Sequence, residues 1–355
     1  MDQKTLDIYE TIAEQWASVR KPNRTELTRA LAARSSGPSV DLGCGPGWHS
    51  GLLPKPVVAL DGALAMLRLA QVNTPSALAV QADLEALPFR HGALATAWAR
   101  NSYVHLPRTS VPGALADLHR ALAVGAQAMV LVLLGEREGR NIFKRNDFPD
   151  RFFSQWDLDR LHDVLVGAGF DVDGYDVDGQ TEYEVHLRLT RARTLADLVG
   201  PNLRLLVCGL NPSLYAADAG IEFARPGNRF WPAALAAGIA TRDRDPWHAF
   251  RAHRVGFTDL VKRPTVAASE LTKDEYRAGY ARIERLVRWL QPGAVVFVGL
   301  AGWRAAVDRR ARPGLQAIHV GDRPAYVMPS TSGLNARVPL AELVEHLRTA
   351  AAISS

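Results

Sequence analysis

The first half of the chain alternates between helical and strand-like spacing of its apolar positions. Residues 5–34 have helical spacing, with a break near Lys21, Pro22 and Asn23. Helical segments then separate a series of short apolar runs, which read PSVDLG, PVVALD, ALAVQAD, ATAWAR, AMVLVLLG and YEVHLRLT. This alternation predicts an open, mainly parallel sheet with helices on both faces.

The second half of the chain repeats this rhythm. Helical patterns around FWPAALAAGI and EYRAGYARIERLVRWL separate the strand-like runs LRLLVCGL, AVVFVGL and AYVMPS. The pattern therefore predicts an α/β fold throughout, arranged as two three-layer domains. We place these domains at residues 1–192 and 193–355, with a short linker near residues 191–203.

Composition adds a charge difference between the halves. The 355 residues are 47% apolar and 22% charged, as in ordinary soluble proteins. Residues 1–193 carry 21 Lys and Arg against 23 Asp and Glu, whereas residues 194–355 carry 21 against 14. The second half thus has the basic excess expected of a phosphate-binding surface. Because Cys44 and Cys208 lie in apolar runs and no run could span a bilayer, we expect a cytoplasmic monomer without disulfide, metal or membrane contact.

Glycines and acids stand at the ends of the first three predicted strands. A turn with three glycines follows the first strand, where glycine permits positive φ and close approach of the backbone to a ligand. One carboxylate ends each of the three strands. The acids are Asp41, Asp61 and Asp83, and the glycines of the turn are Gly43, Gly45 and Gly47.

This spacing resembles the class I S-adenosylmethionine-dependent methyltransferases over roughly residues 7–190. The resemblance implies a Rossmann-like sheet that binds S-adenosylmethionine, with Asp41 and the three glycines at its methionine end. Asp61 would bind the ribose hydroxyls and Asp83 the adenine amino group. The segment from Arg100 to His105 would face the methyl acceptor.

The acceptor itself stays open. The chain has no Pro-Cys pair for methylation at cytosine C5, and it reads AWARNSYVHLP where exocyclic-amine methyltransferases have an Asn/Asp-Pro-Pro-aromatic turn. His105 fits either a general base or a packed side chain, and His49 is the weaker candidate for a base.

Three polar elements follow strands in the second half. Asn211 emerges directly after LRLLVCGL, where its amide could orient a water molecule, and no adjacent lysine could form a Schiff base. Phe223 could stack on a flat base extruded from a duplex. Arg225, Asn228 and Arg229 follow in a loop that could neutralise phosphates. The last element, the wedge loop (residues 331–337), reads TSGLNAR and carries the apolar Leu334 among small residues.

Together these elements resemble the mismatch-specific uracil/thymine-DNA glycosylase family, and the likeness covers residues 194–348 through GLNPS, FARPGNRFW, VGFTDLVKRPT, VFVG and MPSTSGLNAR. The resemblance implies a uracil-DNA glycosylase-like sandwich acting on mismatched or damaged double-stranded DNA. Asn211 would activate water, and Phe223, the backbone at Leu210 and Ser330 would bind the base. The residues expected to contact DNA are Arg229, Gly333, Leu334, Asn335 and Arg337.

Two departures from that family leave the preferred base open. Ser213 stands where relatives often have glycine, and we expect its hydroxyl to narrow the pocket mouth. Ser330 stands where relatives carry Asn or His. Lys262 and Arg263 fit either a phosphate contact or an ordinary solvated pair.

The leading hypothesis is a monofunctional DNA glycosylase that excises uracil, thymine or a related damaged pyrimidine in base excision repair, fused to a methyltransferase of unknown acceptor. One alternative makes methylation of RNA or a small molecule the main activity, with the C-terminal domain as a nucleic-acid binding module. Another alternative is a protein that binds damaged DNA without excising the base.

Overall fold

The computed structural model describes residues 2–22, 25–143, 147–177 and 183–353. Asn23, in the predicted helix break, lies outside these residues. The chain divides into two compact units, Met1–Val166 with Phe170–Ala192, and Gly167–Gly169 with Arg193–Ser355. Residues 167–169 group with the second unit, in which the amide of Asp197 donates to the carbonyl of Gly167 at 2.7 Å.

Within the described residues, the first unit consists of helices around a nine-stranded sheet. Its helices are α1 (Gln3–Val19), α2 (Thr25–Ala32), α3 (Leu64–Asn73), α4 (Val111–Ala121) and α5 (Leu158–Gly167). Its strands are β1 (Ser39–Leu42), β2 (Val57–Asp61), β3 (Leu78–Gln81), β4 (Leu94–Ala99), β5 (Leu122–Leu134), β6 (Glu138–Arg140), β7 (Phe152–Trp156), β8 (Phe170–Val177) and β9 (Glu184–Arg191).

The first five strands run parallel in the order β3-β2-β1-β4-β5. β9 lies antiparallel beside β5, and β8 lies antiparallel beside β9. The predicted Rossmann-like, mainly parallel sheet is confirmed. β6, β7, which pairs with the end of β5, and β8 were not predicted, because their sequences are short or interrupted by charged residues.

The second unit is also built on a mainly parallel sheet, which confirms the predicted α/β class of both halves. Its helices are α6 (Leu214–Ala219), α7 (Phe230–Ala237), α8 (Pro246–His253), α9 (Lys273–Leu290), α10 (Leu300–Ala306) and α11 (Leu340–Ile353). Its strands are β10 (Leu205–Gly209), β11 (Val255–Asp259), β12 (Ala294–Val298), β13 (Gly314–Leu315) and β14 (Ala325–Met328). The strand order is β11-β10-β12-β14-β13, and β13 alone among these strands is antiparallel to its neighbour.

The side chains of this second sheet alternate between two covered faces. Leu206 and Cys208 of β10 belong to a core cluster with α9 and with Trp303 of α10. On β11, Phe257 is the register partner of Val207 and contacts Trp231 of α7. Because successive strand residues point to opposite faces, helices cover the sheet on both sides. All residues of β10, β11 and β12 are buried, and β10 and β12 read as continuous apolar runs.

None of the described helices is both long and apolar enough to cross a membrane. Within the same residues, no group of three or more His, Cys, Asp and Glu side chains is placed to hold a metal ion. Both cysteines are buried as free thiols.

Candidate active sites

A cavity of about 560 Å³ opens at the carboxyl ends of β1, β2 and β4 in the first unit. β1 lies between β2 and β4, so the cavity sits where the strand order reverses, which is the usual ligand position in open α/β sheets. The predicted residues Asp41, Gly43, Gly45 and Asp61 line it. Its wall also includes Tyr9, Trp16, Trp48, Arg100, Ser102, His105, Arg151 and Phe153.

The glycine turn after β1 depends on backbone conformations that favour glycine. Gly43, Gly45 and Gly47 have φ values of +66°, +52° and +76°. A Cβ on Gly43 would lie 2.5 Å from the Cβ of Ser102, whereas a Cβ on Gly45 would meet nothing within 4 Å. Gly45 therefore leaves open space at the cavity wall, as close approach of a ligand to the backbone requires.

The two acids at the ends of β1 and β2 are held by short contacts. Asp41 accepts a hydrogen bond from Ser50 Oγ at 2.6 Å. Asp61 accepts from the amides of Gly45 and Ala63, both at 2.9 Å. Burial raises the pKa of Asp41 to about 7, against the opposing effect of the Ser50 hydroxyl and with a further rise from Asp61. Burial also raises the pKa of Asp61.

Two predicted cofactor residues lie outside the described lining of the cavity. A Cβ on Gly47 would lie 2.9 Å from the Cα and Cβ of Ala70, so this glycine lets the turn pack against α3. Asp83 accepts a hydrogen bond from the amide of Glu85 at 2.9 Å. The contact of Asp83 with adenine stays a prediction.

His105 is engaged at both ring nitrogens. Its Nδ1 lies 2.7 Å from the carbonyl oxygen of Phe152, and its Nε2 lies 3.0 Å from the hydroxyl of Tyr9. Arg151 donates to the same hydroxyl at 2.7 Å. Burial lowers the pKa of His105 to about 4. The imidazole is therefore neutral and holds α1 against β7, which favours the packed alternative over a general base. His49 is likewise buried, bonded to Thr28 and stacked on Trp98.

In the second unit, Asn211 lies just beyond β10 with its amide group fixed. Its Nδ2 donates to the carbonyl of Arg263 at 3.0 Å and to Thr265 Oγ1 at 2.8 Å. Thr265 also donates its backbone amide to the carbonyl of Pro212 at 3.2 Å. The Asn211 carbonyl oxygen has no hydrogen-bond donor among the described residues. Thr265 was missed in the sequence because its role depends on a partner 54 positions away.

Ser213 has a structural role that was not predicted from the sequence, and its effect on the pocket mouth stays a prediction. Its Oγ accepts a hydrogen bond from the amide of Ala216 at 3.1 Å and caps the N-terminus of α6. Serine is a favoured residue at this position of a helix, because its hydroxyl satisfies a backbone amide of the first turn.

Phe223 is half-buried and adopts a φ of +56°, which is unusual for an aromatic residue. Phe230 stacks on one face of its ring, with centroids 4.2 Å apart and planes 22° from parallel. The tip of the ring also lies 3.6 Å from the place that a Cβ on Gly209 would occupy. Strain of this kind persists where the surrounding structure holds it, often at functional sites.

The wedge loop exposes its apolar residue and is bonded to the side chain of Arg229. Leu334 is 89% exposed. Arg229 donates to the carbonyls of Asn335 and Val338, the first at 2.6 Å. A Cβ on Gly333 would lie 2.9 Å from the carbonyl oxygen of Gly227, so glycine allows the two loops to meet.

Several residues that were predicted to contact DNA or the base form hydrogen bonds within this unit. The Arg229 guanidinium donates to the carbonyls of Asn335 and Val338, and its contact with phosphate stays a prediction. Asn335 donates to the carbonyl of Ser330 at 2.9 Å, whereas Arg337 is exposed. The Leu210 carbonyl accepts from the amide of Val261 at 2.9 Å and keeps a second lone pair, so its contact with a base stays a prediction.

Lys262 and Arg263 both form ion pairs within the unit. Lys262 lies 2.8 Å from Asp197, and Arg263 lies 2.7 Å from Glu275. The structure therefore favours the alternative in which these cations serve the protein itself.

Two buried acids near Asn211 and Phe223 were not identified from the sequence. Asp259 ends β11, and its Oδ1 lies 2.4 Å from the place that a Cβ on Gly209 would occupy. Glu222 immediately precedes Phe223, and each acid is only 6% exposed. The one available signal was an acid at the end of an apolar strand, as in VGFTD.

Comparison with known proteins identifies both halves at the level of broad families. A family model for the uracil DNA glycosylase superfamily matches residues 196–348, and a methyltransferase domain model matches residues 40–125.

Solved structures resemble the first half at low identity. An S-adenosylmethionine-dependent methyltransferase from Mesorhizobium loti is 18% identical, over 47% of this chain and 96% of that one, with a TM-score of 0.38. The 1,6-didemethyltoxoflavin-N1-methyltransferase of Burkholderia thailandensis is 14% identical, over 54% and 90%, with a TM-score of 0.43. A complex of the Haloferax volcanii Trm112 methyltransferase activator with a methyltransferase is 16% identical, over 53% of this chain and 97% of that one, with a TM-score of 0.45. On the two family matches, the chain carries a methyltransferase domain in its N-terminal half and a uracil DNA glycosylase superfamily domain in its C-terminal half.

Proposed function

We propose that the second unit is a monofunctional, mismatch-specific DNA glycosylase that flips uracil, or a related damaged pyrimidine such as thymine opposite guanine, out of double-stranded DNA. The observation that carries this proposal is the fixed Asn211 amide. Its nitrogen donates to the carbonyl of Arg263 and to Thr265 Oγ1, and its carbonyl oxygen has no donor among the described residues. An oriented acceptor of this kind can hold a water molecule for attack on the sugar.

The other residues fit the remaining steps of base excision. Phe223 would stack on the flipped base, which contributes about 1–3 kcal/mol in comparable contacts. Leu334 would fill the gap left in the duplex, and Arg337 would hold the backbone beside it. Arg229 would keep the wedge loop in place through the carbonyls of Asn335 and Val338.

Release of free uracil from a G:U duplex tests this proposal, and a Leu334→Ala variant tests the wedge. We expect wild type to release the base, and the variant to release it about 10-fold more slowly from duplex but at the wild-type rate from single-stranded DNA, which leaves no gap to fill. Chromatography of the free base gives both rates. If wild type releases no base from G:U or G:T duplex, or only binds it, the glycosylase proposal is wrong.

For the first unit we propose a methyltransferase that binds S-adenosylmethionine in the cavity at the ends of β1, β2 and β4. Bound there, the cofactor would supply an electrophilic methyl group. The Gly45 backbone would allow the cofactor to approach closely. Asp41 would accept hydrogen bonds from its ammonium group, and Asp61 would accept hydrogen bonds from the ribose hydroxyls. Because His105 is neutral and bonded at both nitrogens, its imidazole is not free to deprotonate an acceptor.

As the pH increases toward 7, the affinity for S-adenosylmethionine is expected to rise about tenfold per pH unit, and above pH 7 it should level off. Asp41 must lose its proton to pair with the ammonium group, and burial raises its pKa to about 7. Calorimetry between pH 5.5 and 8.5 measures this dependence. A Ser50→Ala variant should move the midpoint upward, because Ser50 stabilises the carboxylate. An affinity that does not change over this range would contradict the role of Asp41.

A further inference from the structure

Glu222 carries a buried oxygen that accepts no hydrogen bond in the described part of the second unit. Its side chain is 6% exposed, and within the described residues its Oε2 has no hydrogen-bond donor. An ionised carboxylate in this position would be a buried charge with an unsatisfied oxygen, which costs several kcal/mol. The carboxyl group therefore keeps its proton at neutral pH, and burial raises its pKa to about 8.

Asp259 is the second acid of this region. Its Oδ1 and the tip of the Phe223 ring both lie against Gly209, at the carboxyl end of β10. Burial raises the pKa of Asp259 to about 6. The charges that act on the two acids are Lys262 and Asp197 on both, together with Arg282 on Asp259. Lys262 and Arg282 are already paired with Asp197, so neither is committed to Glu222 or Asp259 through a side-chain ion pair.

Ionised Asp259 raises the cost of ionising Glu222, so Glu222 retains its proton across the neutral range. Glu222 directly precedes Phe223, on which the extruded base is proposed to stack, and Asp259 Oδ1 and the tip of the Phe223 ring both lie against Gly209. A departing pyrimidine carries negative charge spread over its ring nitrogen and carbonyl oxygens. A neutral carboxyl group is a hydrogen-bond and proton donor matched to that charge.

We propose that Glu222 and Asp259 form a proton-sharing acid pair that protonates the pyrimidine as it leaves the sugar. The bond between the sugar C1′ and the base nitrogen breaks, and its electron pair goes to the base. The base takes the proton of the acid pair. The water held at Asn211 forms the new bond to C1′ and loses a proton, which restores the acid pair. This inference rests on the proposed glycosylase activity.

Single-turnover rates of base release from G:U duplex between pH 6 and 9.5 test the pair in the full-length chain. We expect the wild-type rate to fall about tenfold per pH unit once the pair loses its last proton. Glu222→Gln keeps the shape but not the proton, and it should be about 100-fold slower at pH 7 and lose the alkaline descent. Asp259→Asn provides a second variant, and Glu270→Gln, at an exposed carboxylate, is the matched control.

A base that leaves more easily separates proton donation from a structural role. With 5-fluorouracil in place of uracil, the factor by which Glu222→Gln is slower than wild type should shrink at least 10-fold. A more acidic base leaves more readily without a proton donor. Equal deficits with both bases, or an alkaline descent that both variants retain, would overturn the acid pair while leaving the glycosylase proposal intact. If wild type releases no base at all, the glycosylase proposal fails and the acid pair fails with it.

Discussion

Replacing Asn211 with alanine is expected to slow release of uracil from a G:U duplex by about 10³-fold, while binding of the duplex changes little. The substitution removes the oriented carbonyl oxygen but none of the residues proposed to stack on the base or to enter the duplex. Loss of one oriented polar group in an active site typically costs about 10²–10³-fold in rate. Single-turnover base release and fluorescence anisotropy of a labelled duplex measure the two effects separately.

Two further variants test why the amide works. Asn211→Asp keeps the size of the side chain but puts an acceptor against the carbonyl of Arg263, so it should be as slow as the alanine variant. Thr265→Val leaves Asn211 in place but removes the Oγ1 contact at 2.8 Å, and we expect an intermediate loss of about 10-fold. A rate for Asn211→Ala within threefold of wild type would exclude the water-holding role.

The positions of these residues at one edge of the sheet followed from the sequence. β10 and β14 are parallel members of one sheet, and both end at its carboxyl edge. Residues that directly follow such strands, including Asn211 and the wedge loop, must therefore emerge at the same edge. The same reasoning located Asp41 and Asp61 at the ends of β1 and β2, where the cavity lies.

The roles of individual polar groups were harder to predict, because they depend on partners far along the chain. Arg229 supports carbonyls that are 106 and 109 positions away. Tyr9 meets His105 across 96 positions and Arg151 across 142. A basic residue in a loop suggests a phosphate contact, but in the folded chain a carbonyl or carboxylate distant in sequence can accept its hydrogen bonds instead. Spacing along the sequence does not contain that information.

Burial explains the second group of omissions. Glu222 and Asp259 are ordinary acids in the sequence, and only their 6% exposure turns them into groups that resist ionisation. Asp197 shows the opposite outcome of burial. It is equally enclosed, but Arg282 and Lys262 lie beside it and keep it charged. Asp197 thus differs from Glu222 and Asp259 because it has cationic partners in direct contact, whereas no ion pair joins either of the other two acids to a described residue.

Replacing Asp197 with asparagine is expected to destabilise the second unit by about 3–5 kcal/mol, which is the usual cost of breaking a buried ion pair. Asp197 Oδ2 lies 2.5 Å from Arg282, and its Oδ1 lies 2.8 Å from Lys262 and accepts from Thr258 at 2.8 Å. The change leaves two cations without their shared anion and loosens α9 from the end of β11. Calorimetry should show the corresponding transition lowered by about 10 °C.

The pH dependence and a surface variant identify the cause of this loss. Burial alone would raise the pKa of Asp197, but Arg282 and Lys262 outweigh burial and hold the pKa below its ordinary value. Wild type therefore keeps this stabilisation above the unfolded-state pKa of about 4 and loses it as the pH falls through the lower folded-state value, so the difference from Asp197→Asn should narrow in acid. Asp274→Asn breaks an exposed pair with Arg277, whose side chains are 90% and 64% exposed, and should cost less than about 1 kcal/mol. If both variants lowered the transition equally, the buried network would not be what holds β11 and α9 together.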